Sequence, residues 1–150
     1  MKEKLIVTSA LPYANGAIHF GHIAGAYLPA DIFVRYNKLK GNDVIYICGT
    51  DEHGTAITFS AMQEGRTPKE HTDIYYKVIL DIFNKFNIKF ENFSRTTKAH
   101  HYKITQQFFL EILENEYIST KTNKQLYSEK DKMFLPDRYV KGKCPHCGYE

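Results

Sequence analysis

A chain of 150 residues with ordinary proportions of apolar and charged groups can bury one sizeable core and gives no compositional reason to expect disorder. Its 20 lysines and arginines against 17 acids are too slight an excess for a continuous phosphate-tracking surface. No run of about eighteen or more apolar residues occurs, and Met1-Lys2-Glu3-Lys4 lacks the apolar core of a signal peptide, so the sequence predicts a soluble cytoplasmic protein without a membrane span.

Leu5-Ile6-Val7-Thr8 is short, apolar and β-branched, and it reads as a buried strand running into the Pro- and Gly-bearing loop Leu11 to Gly16. A helix is expected from near His22 through Ile32, Phe33, Tyr36 and Leu39, stopped by Gly41 in the left-handed cap position. Pro29 falls inside it, removes one backbone hydrogen bond and predicts a kink; Gly25, four residues earlier, relieves only the steric part of the problem. Val44-Ile45-Tyr46-Ile47-Cys48 is a second buried strand, followed by the polar loop Gly49 to Gly54 and a short helix over Thr55 to Glu64 closed by Gly65. Strand–helix–strand units of this kind pair their strands in parallel, and ligands gather at the strands' carboxyl ends, where both polar loops lie.

Thr67-Pro68-Lys69-Glu70 has capping-box spacing with proline at the first helical position, and Ile74, Val78, Ile82 and Phe86 mark the expected buried face of the helix it starts. A further helix is expected over Thr97 to Glu116, with Ile104, Phe108 and Ile112 as core. From Tyr117 the character changes: Ile118 to Thr122 and Gln125 to Ser128 read as two short strands, which places a boundary between residues 1–116 and 117–150. Of the three cysteines, Cys48 lies in an apolar run, while Cys144 and Cys147 form a C-x-x-C in the turn-rich tail Lys141 to Gly148, a pattern that in a reducing compartment suggests metal.

The first loop, Pro12-Tyr13-Ala14-Asn15-Gly16-Ala17-Ile18-His19-Phe20-Gly21-His22, ends at a helix amino terminus, where unpaired N–H groups attract phosphate. Two histidines separated by one residue and a glycine can both aim ring donors at one polyphosphate, and Gly21 leaves room for a nucleotide against the backbone. Taken alone, those four residues fit equally well two solvated imidazoles at a helix start. In the second loop, Gly49-Thr50-Asp51-Glu52-His53-Gly54, the Asp51 carboxylate can either receive a substrate ammonium or close an Asx turn on loop amides. The C-x-x-C offers two thiolates with the right bite for tetrahedral zinc, which wants four ligands; His146, between the cysteines, points poorly for a shared metal.

The first loop resembles the His-x-Gly-His signature of class I aminoacyl-tRNA synthetases, and its longer form, Pro-Tyr-x-Asn-Gly-x-x-His-x-Gly-His, resembles that of the methionyl-tRNA synthetase family. Gly-Thr-Asp-Glu-His-Gly resembles the same family's second loop. The resemblance implies the first half of a Rossmann-like parallel-sheet α/β catalytic domain. It implies that Ala10, Leu11, Tyr13 and Asp51 meet L-methionine, with Asp51 on its amino group, and that Asn15, His19, Gly21 and His22 meet Mg-ATP, the two histidines in a catalytic role. Cys-Pro-x-Cys, with the preceding Phe134 to Val140, resembles the start of the family's zinc-knuckle insertion, or connective peptide, which implies Cys144 and Cys147 as half of a Zn2+ site completed beyond residue 150. The reaction implied is ATP-dependent formation of methionyl-adenylate and transfer to tRNA(Met). The family's Lys-Met-Ser-Lys-Ser signature has no counterpart in this sequence, so these residues alone are expected not to activate methionine. Three other readings are weaker. A small nucleotidyltransferase shares only the two histidines; a zinc-ribbon nucleic-acid module would need a more basic surface; a dinucleotide oxidoreductase would need a G-x-G-x-x-G.

Overall fold

The computed structural model describes residues 2–130, 132–136 and 142–149. By internal contact the chain forms two compact units, residues 1–108 and 109–150. The first is α/β. Strand β1 (Lys4–Thr8) pairs in parallel with β2 (Asp43–Thr50), which pairs in parallel with β3 (Asn92–Arg95), giving the order β1-β2-β3. In register, Leu5 lies beside Val44 and Thr8 beside Ile47, while Cys48 faces Phe93 and Thr50 faces Arg95. The carboxyl ends of all three strands therefore open on one edge of the sheet.

The link from β1 to β2 is a continuous helical run in three pieces: helix α1 (Phe20–His22), a π-helical turn (Ile23–Tyr27) and helix α2 (Leu28–Leu39). Where Pro29 is expected to interrupt one helix, the run changes from π to α geometry just before it. In the π turn the Leu28 amide reaches back five residues to the Ile23 carbonyl, and α2 restarts at Leu28, so Pro29 sits in a first helical turn where a missing N–H leaves no bond broken. Gly41, at φ +85°, ends the run as expected. Helices α3 (Thr55–Gln63) and α4 (Pro68–Lys85) connect β2 to β3, and α4 begins at the anticipated capping box, with Thr67 and Glu70 satisfying each other's amides.

The core lies on one face of the sheet. Tyr27, Val34, Val44, Tyr46, Ile79 and Phe83 are buried together, and the Phe83 ring meets Tyr27, Phe90 and Phe93 edge-on at 4.7, 5.1 and 5.5 Å. Full burial of side chains of this size is worth about 1.5–3 kcal/mol each. The strands are buried on that face only: Leu5 and Val7 pack toward it, whereas Ile6 is 74% exposed and Ile45 is exposed beside it, which corrects the expectation of fully buried strands.

Two helix faces also differ from expectation. On α4 the buried residues are His71, Thr72, Ile79 and Phe83, while Ile74 and Phe86 are exposed and Val78 and Ile82 half-buried. A step of four residues overshoots a helical turn by about 40°, so an i, i+4 series drifts across a helix and its ends leave the face that its middle occupies. The next helix, α5 (Ala99–Glu114), forms within the expected span, but none of its residues is buried; Ile104 and Phe108 are exposed and Ile112 half-buried. Its apolar stripe has no covering element among the described residues.

In the second unit, β4 (Tyr127–Ser128) and β5 (Met133–Phe134) form an antiparallel pair, with the Tyr127 and Phe134 rings edge to face at 5.1 Å. Residues 118–122, expected as a strand, have no regular structure; the partner of the Gln125 to Ser128 segment is instead the apolar pair that follows it. Of the segment leading toward the cysteines, residues 137–141 lie outside the described residues.

Candidate functional site

The two polar loops are fastened to each other by their backbones. Asp51 N donates to Pro12 O at 2.9 Å and Ala14 N donates to Asp51 O at 2.8 Å, a parallel bridge that sets Tyr13 beside Asp51 just past the ends of β1 and β2. Gly54, at φ +125°, lies under the Tyr13 hydroxyl so closely that a β-carbon there would come within 2.6 Å of it. The sheet itself asks for Gly49, whose β-carbon would meet the Ser94 carbonyl oxygen at 2.9 Å; this residue and Thr50 therefore belong to β2 and not to the loop expected there.

The first loop ends in a cap built from both histidines. His19 Nδ1 accepts from Gly21 N at 3.1 Å, His22 Nδ1 accepts from His19 N at 3.1 Å, and the rings lie with centroids 3.9 Å apart and planes tilted by 42°. Because each Nδ1 is occupied as an acceptor, the neutral tautomer of each ring carries its proton on Nε2. Both side chains are exposed, so the cap turns two Nε2–H donors outward at the start of a helical run twenty residues long, Phe20 to Leu39. A β-carbon on residue 21 would stand 3.0 Å from the His19 ring, so Gly21 is what lets that ring fold back.

Other contacts place the ends of the strands. Tyr27, the last residue of the π turn and wholly buried, donates from its hydroxyl to Ala10 O at 3.0 Å, and Ser9 Oγ and Tyr46 Oη are 2.7 Å apart. Burial pushes both tyrosine hydroxyls up from their ordinary pKa, and for Tyr46 the Ser9 bond pulls the other way. Burial likewise raises the Cys48 thiol, which faces the Ser9 and Ala10 carbonyls at 3.7 and 3.8 Å and behaves as a packed apolar group. Asn15 sits over the fully buried His71, whose Nε2 lies 3.4 Å from Asn15 O.

The residues after Asp51 are anchored more deeply than the sequence suggested. Glu52 is buried; it accepts from Thr50 Oγ1 and Arg95 Nε, both at 2.7 Å, and from Thr97 Oγ1. Arg95 Nη2 reaches Asp73 Oδ1 on α4 at 2.6 Å, and its guanidinium lies 4.6 Å over the Tyr76 ring. Burial alone would lower the Arg95 pKa, but the bonds to Glu52 and Asp73 more than reverse this and raise it. Asp73 is held below the ordinary carboxylate range by Lys69 and then by Arg95.

Of the residues singled out from the sequence, the structure groups His19, Gly21 and His22 in one cap and Tyr13 with Asp51 in one bridge. Ala10 is tied through its carbonyl to the Tyr27 hydroxyl, and Leu11 lines a cavity of about 320 Å3 with Cys48, Ser94 and His101. The Asx-turn reading of Asp51 also has a bond: His53 N donates to Asp51 Oδ1 at 3.3 Å. Cys144 and Cys147 belong to the second unit. There Cys144 N donates to Tyr149 O at 2.7 Å and Gly148 N to Cys144 O at 2.8 Å, closing a knuckle, and the amides of Cys147 and His146 lower the Cys144 thiol's pKa. That donor set suits half a zinc site; no group of three or more His, Cys, Asp or Glu able to hold a metal occurs among the described residues. From the sequence, Glu52 and His53 could shape the loop or contact substrate, with no catalytic role; nothing there singled out Arg95, Tyr27 or His71. No helix among the described residues is long and apolar enough to cross a membrane.

The pattern that defines tRNA synthetases class I (M) matches residues 5–150. The chain belongs to that family. Among relatives of this class I synthetase chain, the methionine–tRNA ligase of Thermococcus onnurineus is 60% identical over 147 residues, covering 98% of the chain and 20% of the relative. That of Protochlamydia amoebophila is 55% identical over 150 residues, covering 100% of the chain and 22% of the relative. The structure is similar to Mycobacterium tuberculosis methionyl-tRNA synthetase in complex with methionyl-adenylate, with a TM-score of 0.78 and 28% identity over 91% of this chain and 26% of that one. The synthetase chain thus has a Rossmann-like α/β fold with a three-stranded parallel sheet, and it spans about a fifth of the length of the curated relatives it matches.

Proposed function

We propose that this chain supplies the nucleotide-facing loops of a methionine–tRNA ligase, which forms methionyl-adenylate from L-methionine and ATP and passes the methionyl group to tRNA(Met) in the cytoplasm. The observation that carries the reading is the bridge fastening Asp51 to the loop whose two histidines turn Nε2–H donors outward. In this reading a carboxylate oxygen of methionine attacks the α-phosphorus of ATP, the bond to the β-phosphate bridging oxygen breaks, and pyrophosphate departs with that electron pair. A hydroxyl of the terminal adenosine of the tRNA then attacks the methionyl carbonyl and releases AMP.

The protein's part is positioning and electrostatics. His19 and His22 donate to phosphate oxygens as charge builds on them, and Asn15 and Gly21 border the nucleotide. Asp51 receives the methionine ammonium, with Ala10, Leu11 and Tyr13 beside the side chain. Mg2+ bound to the nucleotide's phosphates would neutralise part of their charge. Zn2+ is a structural ion of a knuckle insertion that begins with residues 117–150, where Cys144 and Cys147 would be two of its ligands. The preceding residues, 1–116, belong to the catalytic domain.

The test is methionine-dependent ATP–pyrophosphate exchange by the full-length ligase containing this segment. Asp51→Ala should raise the methionine concentration needed for half-maximal rate at least tenfold, because a charge-assisted bond is worth more than about 1.5 kcal/mol. An unaltered response to methionine removes Asp51 from substrate recognition.

A further inference from the structure

The peptide that carries Asp51 is held from two sides. On one side stand the two bridge hydrogen bonds to the first loop. On the other, Glu52 N donates to Thr96 Oγ1 at 2.9 Å, and the Glu52 carboxylate is sunk among Thr50, Thr97 and Arg95 with 4% of the residue exposed. Arg95 ties this cluster to two further elements. It stands at the end of β3 opposite Thr50 in the sheet register, and its Nη2 is bonded to Asp73 on α4. Lys69 lies 2.6 Å from the second oxygen of Asp73, so two carboxylates and two cations balance.

A buried ion pair of this kind contributes little net stability compared with apolar residues of the same shape, so stability alone is a poor reason for the arrangement. What it does supply is direction. The Thr50 and Thr97 hydroxyls and the Arg95 guanidinium leave the Glu52 carboxylate little freedom to turn, and Glu52 is covalently next to Asp51. We propose that Arg95 is a positioning residue for methionine recognition: acting through Glu52, it fixes the angle at which Asp51 presents its carboxylate. The proposal rests on the reading that Asp51 receives the substrate ammonium.

In the full-length ligase, Arg95→Met should raise the methionine KM at least tenfold in pyrophosphate exchange while leaving the ATP KM within about twofold, since the histidine cap is held by its own hydrogen bonds. Removing Arg95 alone strands a buried carboxylate, which is strongly destabilising and can itself unfold the protein. The pair Glu52→Gln with Arg95→Met removes both charges. It should melt close to the parent and still show the raised methionine KM, an effect that a purely structural role would not leave behind.

Recovery of the parental methionine KM in the double variant overturns the proposal, as does a matching rise in the ATP KM. Failure of both variants to fold would make Arg95 a stability residue and also overturn it. Asp51→Ala measured alongside separates the two levels. If it too leaves the methionine KM unchanged, the reading of Asp51 fails; if it raises the KM while the Arg95 variants do not, only the role of Arg95 fails.

Discussion

Tyr13 and Gly54 meet at the point where the two loops close: the tyrosine hydroxyl occupies the space a β-carbon on residue 54 would need, and residue 54 has φ +125°. The contact adds a side-chain lock to the backbone bridge between Tyr13 and Asp51. Gly54→Ala should therefore cost at least about 1–3 kcal/mol from backbone strain, with the clash in addition. Tyr13→Phe in the same background should return part of the loss by removing the oxygen. Urea unfolding of the two variants and the parent checks this; equal stability of Gly54→Ala and the parent would deny the contact.

His22 caps the helical run through Nδ1, and in the proposed function it also donates through Nε2. His22→Ala in the full-length ligase should slow adenylate formation at least tenfold, about 1.4 kcal/mol of transition-state stabilisation. Loss of the cap should lower stability by about 0.5–2 kcal/mol as well. Single-turnover rates at saturating ATP separate the two effects, and a parental rate there would take His22 out of the chemistry.

Acid should weaken this fold through identifiable carboxylates. Hydrogen bonds from the Thr67 amide and hydroxyl lower the pKa of Glu70. For Glu91 burial acts upward, but bonds from Lys38 and the Tyr46 amide outweigh it and leave the pKa lowered. A carboxyl whose folded pKa lies below its unfolded value adds stability that is full above the unfolded value, about 4.3 for glutamate, and is lost as pH falls through the folded one. Urea midpoints measured downward from about pH 6 should therefore fall below that value, and Glu91→Gln should flatten part of the decline. A Glu91→Gln curve parallel to the parent's over the whole range would contradict the assignment.

One-sided burial of the sheet separates apolar residues that look alike in the sequence. Ile6→Thr in this chain should change stability by less than about 1 kcal/mol, since the side chain is already 74% exposed and threonine suits a strand. Ile79→Ala, at a fully buried position, should cost about 2–5 kcal/mol. Comparable losses from both would mean that the outer face of the sheet is covered.

The legible parts of the fold were those specified by strong local chemistry. β1 and β2 were visible as β-branched runs, α4 as a capping box with proline, and the two loops as glycine-bounded polar stretches at the carboxyl ends of strands. β3 was missed because Asn92-Phe93-Ser94-Arg95 shows no apolar alternation; it is a strand because β2 offers it a parallel edge. The same omission hid Arg95, whose meaning depends on standing next to Thr50 across the sheet. The anchoring of Glu52 and the contact of His71 with Asn15 O join residues more than forty positions apart, which no local pattern encodes. In the proposed site the residue types and loops could be read from sequence, whereas the tautomers of His19 and His22 needed the hydrogen bonds.

The π turn at Ile23–Tyr27 amounts to an ordinary helix into which one extra residue has been spliced. Removing any one of the five would let the backbone close to α geometry with the turns on either side still in line, so His19 and His22 would keep their bearing on α2. It would, however, take away the residue that lets the Leu28 amide reach Ile23 and return Pro29 to a position where its missing N–H matters. A deletion in this stretch should thus be felt at the proline and not at the imidazoles.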